Sequence, residues 1–274
     1  MVFLVWGLLL PIRREMNQYA NVRRIRLLEG IKSPLAGRGP EDIDFVVVRE
    51  NVEGEYSEIG GRLNRGTEDE LAVQEAVFTR KGTDRIMRYA FELAKNRKRN
   101  KVTSATKSNG IMHSMPFWDE RFAAMATEYP DAETNQFHID ILTAHFVLHP
   151  DWFEVVVASN LFGDILSDLG PAIAGSIGIA PSANINPEGN FPSMFEPVHG
   201  SAPDIAGQGI ANPVAAIWTA AEMLDHLGEA SAAKHIVSAI EKSLKNDATK
   251  TRDLGGTGST QDVTRAIEAF CREA

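Results

Sequence analysis

Asn160-Leu-Phe-Gly-Asp-Ile-Leu-Ser-Asp-Leu-Gly170 follows the apolar β-branched run Val155-Val-Val157, and the reading of this junction decides the fold. A short unbroken apolar run reads as a buried strand, and the segment after it has helical spacing. As a helix, the segment places Asp164 and Asp168 on one face at the mouth of that strand. Two carboxylates held so close repel, so they either lie open to water or share a cation. Only oxygen ligands are at hand, with no Cys or His nearby, which makes any such cation hard: Mg²⁺ or Mn²⁺ rather than Zn²⁺. A solvated acidic helix face is the plainer alternative.

Working outward, Asp42-Ile-Asp-Phe-Val-Val-Val-Arg-Glu50 is a second buried strand by the same test of continuous apolar residues. Gly54, Gly60 and Gly61 around Tyr56, a polar run to Glu70 and the segment 71–78 predict a hairpin or protruding arm. Helical spacing follows over 84–97, a strand over 101–106, a helix over 116–129, a short strand near Phe137 and a helix over 140–149. Residues 177–213 are rich in Gly, Pro, Ser and Asn and predict functional or linking loops. Helices over 212–227, 230–245 and 260–273 close the chain, the last with Ser259 or Thr260 as N-cap. Strands alternating with helices give an α/β architecture with a largely parallel sheet.

The first residues, Met1-Val-Phe-Leu-Val-Trp-Gly-Leu-Leu-Leu10, are apolar but too short to span a bilayer, and no basic residue precedes them as a signal peptide requires. A basic stretch follows, with Arg13, Arg14, Arg23, Arg24 and Arg26. Over 274 residues, 43% apolar and 24% charged, a packed soluble core is expected. The 28 basic and 37 acidic residues give a net charge of -9 with no basic block, which argues against nucleic acid as a partner. An anionic ligand therefore needs a local cluster of arginines. The single cysteine, Cys271, permits no intramolecular disulfide and fits a reducing, cytoplasmic setting.

Glu196-Pro-Val-His-Gly-Ser-Ala-Pro-Asp-Ile-Ala-Gly-Gln-Gly-Ile-Ala-Asn-Pro213 is the richest loop. Its glycines let backbone approach a ligand, His199 offers a ring, and Asp204 can accept from a pair of ribose hydroxyls. It lacks the G-x-G-x-x-G pattern, so a purely structural loop stays open as the alternative. Lys107-Ser-Asn109 lies at a strand end, where α/β sheets bind ligands, and Lys107 is either a base or merely exposed. Tyr56 can donate a proton or simply pack. Arg13, Arg23 and Arg49 can clamp carboxylates or form surface ion pairs.

Together, Asn160 to Asp168 and Glu196 to Gly207 resemble the two strongest signatures of the isocitrate/isopropylmalate dehydrogenase family, the metal-dependent decarboxylating β-hydroxyacid dehydrogenases. Trp6-Gly-Leu-Leu-Leu-Pro-Ile-Arg-Arg14, Thr106-Lys-Ser-Asn109, His138-Ile-Asp-Ile-Leu-Thr-Ala-His145 and Ser182-Ala-Asn-Ile-Asn186 are most similar to its tartrate/D-malate branch. Trp6 stands where isopropylmalate enzymes carry an acidic residue. The resemblance implies a small dimerisation and substrate domain over 18–174, with an arm near 50–75, and a large cofactor-binding domain from 1–17 and 175–274. It implies oxidation, with decarboxylation, of a 2-hydroxy dicarboxylic acid such as tartrate or D-malate. Isopropylmalate dehydrogenase or a non-catalytic family member are the alternatives.

Residue by residue, the resemblance assigns the substrate carboxylates to Arg13, Arg23 and Arg49, the acid to Tyr56, and the base to Lys107 assisted by Asp140. Asp140, Asp164 and Asp168 become ligands of Mg²⁺ or Mn²⁺, with Lys107 and Asp140 reaching into the partner's site of a homodimer. Asn109, His199, Gly200, Ser201, Ala202, Asp204, Ile205 and Asn212 match the cofactor side, and Asp204 implies NAD⁺ because a carboxylate repels the extra phosphate of NADP⁺. Family members carry a strand and a Gly-Asp-Gly-Ile-Gly-type loop ahead of the segment matching Trp6. That piece is missing here, so a truncated chain with an incomplete large domain and an exposed sheet edge is expected.

Overall fold

Val46, Val47 and Val48 pair in parallel with Val155, Val156 and Val157, and all six are buried at 2% exposure or less. This pairing is the centre of the molecule. The structure is a computed structural model describing residues 5–273; the rest, and the side chains of Val5 and Trp6, lie outside the described residues.

The strands are β1 (Ala20–Arg26), β2 (Asp44–Glu50), β3 (Gly60–Leu63), β4 (Leu71–Gln74), β5 (Lys101–Thr106), β6 (Glu133–His138), β7 (Val155–Ala158), β8 (Pro181–Ile185) and β9 (Met194–Pro197). Seven of them form one sheet in the order β6-β5-β7-β2-β1-β8-β9. From β6 to β2 the neighbours run parallel, and from β2 to β9 they run antiparallel. The remaining pair, β3 and β4, is an antiparallel hairpin exposed along its whole length, as the Gly-punctuated segment predicts.

The helices are α1 (Leu10–Glu15), α2 (Arg80–Lys95), α3 (Ser114–Glu128), α4 (Ile139–Leu148), α5 (Asn160–Ile173), α6 (Val214–His226), α7 (Ala230–Ser243) and α8 (Thr260–Arg272). Helices α2 and α5 pack on the parallel strands, and α3 and α4 extend the same core. Phe45 of β2 meets Phe146 of α4 edge-on at 4.8 Å, and Phe91 of α2 stacks on Tyr129 at 4.9 Å. A second apolar cluster joins α6, α7 and α8 through Trp218, Ile240, Val263 and Ile267. Ser259 caps α8 in a full capping box with Asp262. No helix among the described residues is long and apolar enough to cross a membrane.

Three strands lie where the sequence predicts none. β1 falls in the basic stretch, where arginines break the apolar pattern that would mark a strand. Arg24 and Arg26 point outward to Glu222 (2.6 Å) and Glu241 (2.7 Å) on the helices, while Arg23 is buried. β8 and β9 fall inside the loop-like stretch 177–213; all five residues of β8 are buried, Ser182 and Asn184 included. Asn21 donates to both of these side chains, at 3.1 and 2.9 Å, so polar residues fill a strand interior with their hydrogen bonds made.

Candidate active site

The strand ends of β2 and β7 place Arg49 opposite Ala158, two residues before α5 begins. Arg49 is 3% exposed and donates through Nε (3.0 Å) and Nη2 (2.7 Å) to Asn160 Oδ1, the first residue of that helix. Its Nη1 pairs with Asp164. Gly163 makes the approach possible, because a Cβ there would lie 2.5 Å from Arg49 Cβ.

Tyr56 donates its hydroxyl to Asp164 Oδ2 at 3.0 Å, and the Arg49 guanidinium lies 5.5 Å from the centre of the Tyr56 ring. Burial, and then the charge of Asp164, push the tyrosine hydroxyl above its ordinary range, so it keeps its proton. One turn further on, partial withdrawal from water and the charge of Asp164 raise the Asp168 carboxyl, while Arg23 and Arg49 oppose the shift. The pair is strained electrostatically in the way a shared divalent cation relieves, and its donors are all oxygen.

Arg23 and Arg13, each 7% exposed, complete a cationic trio. Burial, then the charges of Arg49 and Arg13, bring Arg23 down to about 10. Its Nε donates to Asn21 Oδ1 at 2.7 Å, and no carboxylate pairs with it among the described residues. Arg13 donates from Nη2 to Glu196 at 2.9 Å, leaving its buried Nε without a partner. Three crowded guanidiniums with spare donors can receive an anion, and the planar fork suits carboxylates.

Lys107 and Asp140 stand apart from this cluster. They pair with each other at 2.9 Å, Lys107 just past β5 and Asp140 in the first turn of α4, and Lys107 holds the exposed Asp140 carboxyl below its ordinary value. Among the described residues, no group of three or more His, Cys, Asp or Glu side chains is placed to hold a metal, so Asp140 of the same chain does not join Asp164 and Asp168.

The cofactor-side residues lie on the surface. Asn109, Gly200, Ser201, Ala202 and Asp204 are exposed, and His199, Ile205 and Asn212 are half-buried. Ala202 adopts a left-handed backbone at φ 41 and leads into the short turn Pro203–Ile205. Asn212 accepts from Val214 N–H at 3.0 Å at the start of α6 and donates to Asp253 at 2.9 Å. Glu196 ties this loop to the arginines, since it accepts from Arg13 three residues before His199.

Several neighbours carry no sequence signal of their own. Asn21, Asn51 and Asn184 form a buried hydrogen-bonded set beside the arginines, with both other asparagines donating to Asn184 Oδ1 at 2.9 Å. Glu50, at 2% exposure, accepts from the N–H groups of Val52 (2.9 Å) and Glu53 (2.7 Å), and burial pushes its carboxyl from 4.5 up to about 8. Between those two values the folded state binds more protons than the unfolded one, so stability falls as pH rises through that window, by at most about 1.4 kcal/mol per pH unit. Glu50→Gln, a mimic of the protonated form, is expected to flatten the decline. Denaturant unfolding of both proteins between about pH 5 and pH 8 measures it, and equal slopes would contradict the assignment.

Residues 6–267 match the family model described as isocitrate/isopropylmalate dehydrogenase. The chain is 60% identical over 268 residues to the D-malate dehydrogenase [decarboxylating] of Escherichia coli (strain K12), covering 96% of this chain and 74% of that protein. It is 59% identical over 269 residues to the tartrate dehydrogenase/decarboxylase of Pseudomonas putida, covering 96% and 73%. The crystal structure of isocitrate dehydrogenase from Methylococcus capsulatus superposes with a TM-score of 0.87 at 39% identity, over 96% of this chain and 76% of that one.

Proposed function

The chain belongs to the isocitrate/isopropylmalate dehydrogenase family, and we propose from that premise that it oxidises and decarboxylates a 2-hydroxy dicarboxylic acid such as tartrate or D-malate. One observation carries the reading: the carboxylates of Asp164 and Asp168 lie beside the buried Arg23 and Arg49, with Arg13 next to both arginines and the Tyr56 hydroxyl already hydrogen-bonded to Asp164.

Arg13, Arg23 and Arg49 bind the substrate carboxylates, which fixes the 2-hydroxyl beside the two aspartates. Tyr56, held protonated, stands ready to return a proton to the carbon that loses CO₂. Lys107, oriented by Asp140, takes the hydroxyl proton, and both come from a second copy of the chain in a homodimer with shared sites. Asp164 and Asp168 would hold Mg²⁺ or Mn²⁺ together with Asp140 of that second copy, and the ion would supply the electron sink for loss of CO₂. His199, Gly200, Ser201, Ala202, Asp204, Ile205, Asn212 and Asn109 would hold NAD⁺, whose nicotinamide would supply the hydride-accepting chemistry, and Asp204 would disfavour the 2′-phosphate of NADP⁺. The lone Cys271 is in keeping with a cytoplasmic location.

The direct test follows absorbance of the reduced nicotinamide with Mn²⁺ present and D-malate, tartrate, isopropylmalate or isocitrate as substrate. Turnover is expected with D-malate or tartrate and NAD⁺. Turnover confined to isopropylmalate or isocitrate would reassign the substrate, and turnover with none of the four would overturn the reading.

A further inference from the structure

Helix α5 carries both candidate metal carboxylates, yet its own N-cap residue does not cap it. Ser159 has the extended backbone of an N-cap, φ -61 and ψ 172, but its side chain makes no capping bond. A residue more than a hundred positions away takes over. Glu55 Oε2 accepts from Leu161 N–H at 3.0 Å, and Glu55 Oε1 accepts from the Ser159 hydroxyl at 2.7 Å. The backbone carbonyl of Glu53 accepts from Asn160 Nδ2 at 3.0 Å. The next residue, Tyr56, then binds Asp164 one turn into the helix.

The segment bearing these contacts is itself anchored. Glu53 accepts from Thr79 through its N–H (2.9 Å) and its hydroxyl (2.8 Å), at the start of α2. Gly54 exchanges backbone bonds with Val77 at 2.8 and 3.0 Å. Gly54 has a φ of 95, which favours glycine, and a Cβ there would come within 3.3 Å of Asn160 Cβ. Glu55 therefore projects from a fixed support onto a helix end, where a negative charge is favourable and four backbone N–H groups need partners.

We infer that Glu55 is a positioning residue: by capping α5 from outside, it sets where Asp164 and Asp168 stand relative to Tyr56 and Arg49. Glu55 touches none of the reacting groups and acts through the helix. The consequence for metal binding rests on the function proposed above, whereas the consequence for the Tyr56 to Asp164 hydrogen bond does not.

Two measurements on the full chain separate these. In protein labelled with ¹³C at tyrosine Cζ, the chain's four tyrosines give four signals, and Tyr56→Phe identifies that of Tyr56. Glu55→Ala is expected to shift that signal as the bond to Asp164 is lost; an unchanged signal overturns the inference. Titration with Mn²⁺, followed by the electron paramagnetic resonance of the free ion, is expected to show affinity weakened about tenfold, the scale typical of residues that orient metal ligands. Glu55→Gln keeps an acceptor for Leu161 N–H and is expected to fall between wild type and Glu55→Ala in both readouts. Should Glu55→Ala fail to fold, Glu55→Gln carries the same test, and an unchanged Tyr56 signal in it overturns the inference. A wild-type chain that binds no Mn²⁺ would sink the metal assignment and leave the tyrosine measurement to decide the role of Glu55.

Discussion

Asp168→Asn is expected to leave the fold intact while lowering turnover by about a thousandfold or more, since several kcal/mol of charge stabilisation go with the cation and each 1.4 kcal/mol is tenfold. The substitution separates structure from chemistry because Asp168 contributes little to holding the chain together. Its carboxylate is raised by partial burial and by Asp164, which means that ionisation is disfavoured where it stands. A neutral amide removes that repulsion, so the metal-free variant should unfold at the wild-type temperature or slightly above it. Mn²⁺ should raise the melting temperature of the wild-type protein, as any ligand of the native state does, and should leave Asp168→Asn unmoved. Turnover near the wild-type rate, or an undiminished Mn²⁺ shift in the variant, would remove Asp168 from the site.

The parts of this molecule that could be foreseen are those whose physics is local. Continuous apolar runs place β2 and β7, and the spacing of Asp164 and Asp168 puts both on α5, because period and burial are written into adjacent residues. β1 and β8 escape the same test because their buried positions hold Asn21, Arg23, Ser182 and Asn184, and nothing local tells a strand interior from a polar loop when the partners lie about 160 residues away. The site divides the same way. Arg49 stands out near the end of a strand, but Asn160, which receives two of its bonds, and Glu55, which caps the helix, become visible only when β2, the loop after it and α5 are brought together. Lys107 is marked by its place at a strand end and Asp140 by family resemblance alone, and within one chain they meet each other rather than the acidic pair.

That separation leads to the second large effect, expected when two inactive variants are mixed. An exposed ion pair such as Lys107 with Asp140 adds little to stability, and in the homodimer proposed above both residues serve the site of a second copy. Ile141 follows Asp140 on α4 and Ile165 follows Asp164 on α5, and each is 45% exposed. Apolar surface beside both halves of the proposed metal set is what a second copy would cover, and a twofold axis then makes two identical shared sites at once. Lys107→Met and Asp168→Asn should each be inactive alone. In a mixed dimer, one site receives both altered residues and the other receives neither. Random pairing makes half the dimers mixed, and each restores one site of two, so equal co-expression should recover about a quarter of wild-type turnover. Purifying the mixed species through two different affinity tags should raise the recovery to about half. If instead each chain built its site alone, every site would keep one altered residue and mixing would restore nothing; that outcome would return Lys107 and Asp140 to the surface of a single subunit.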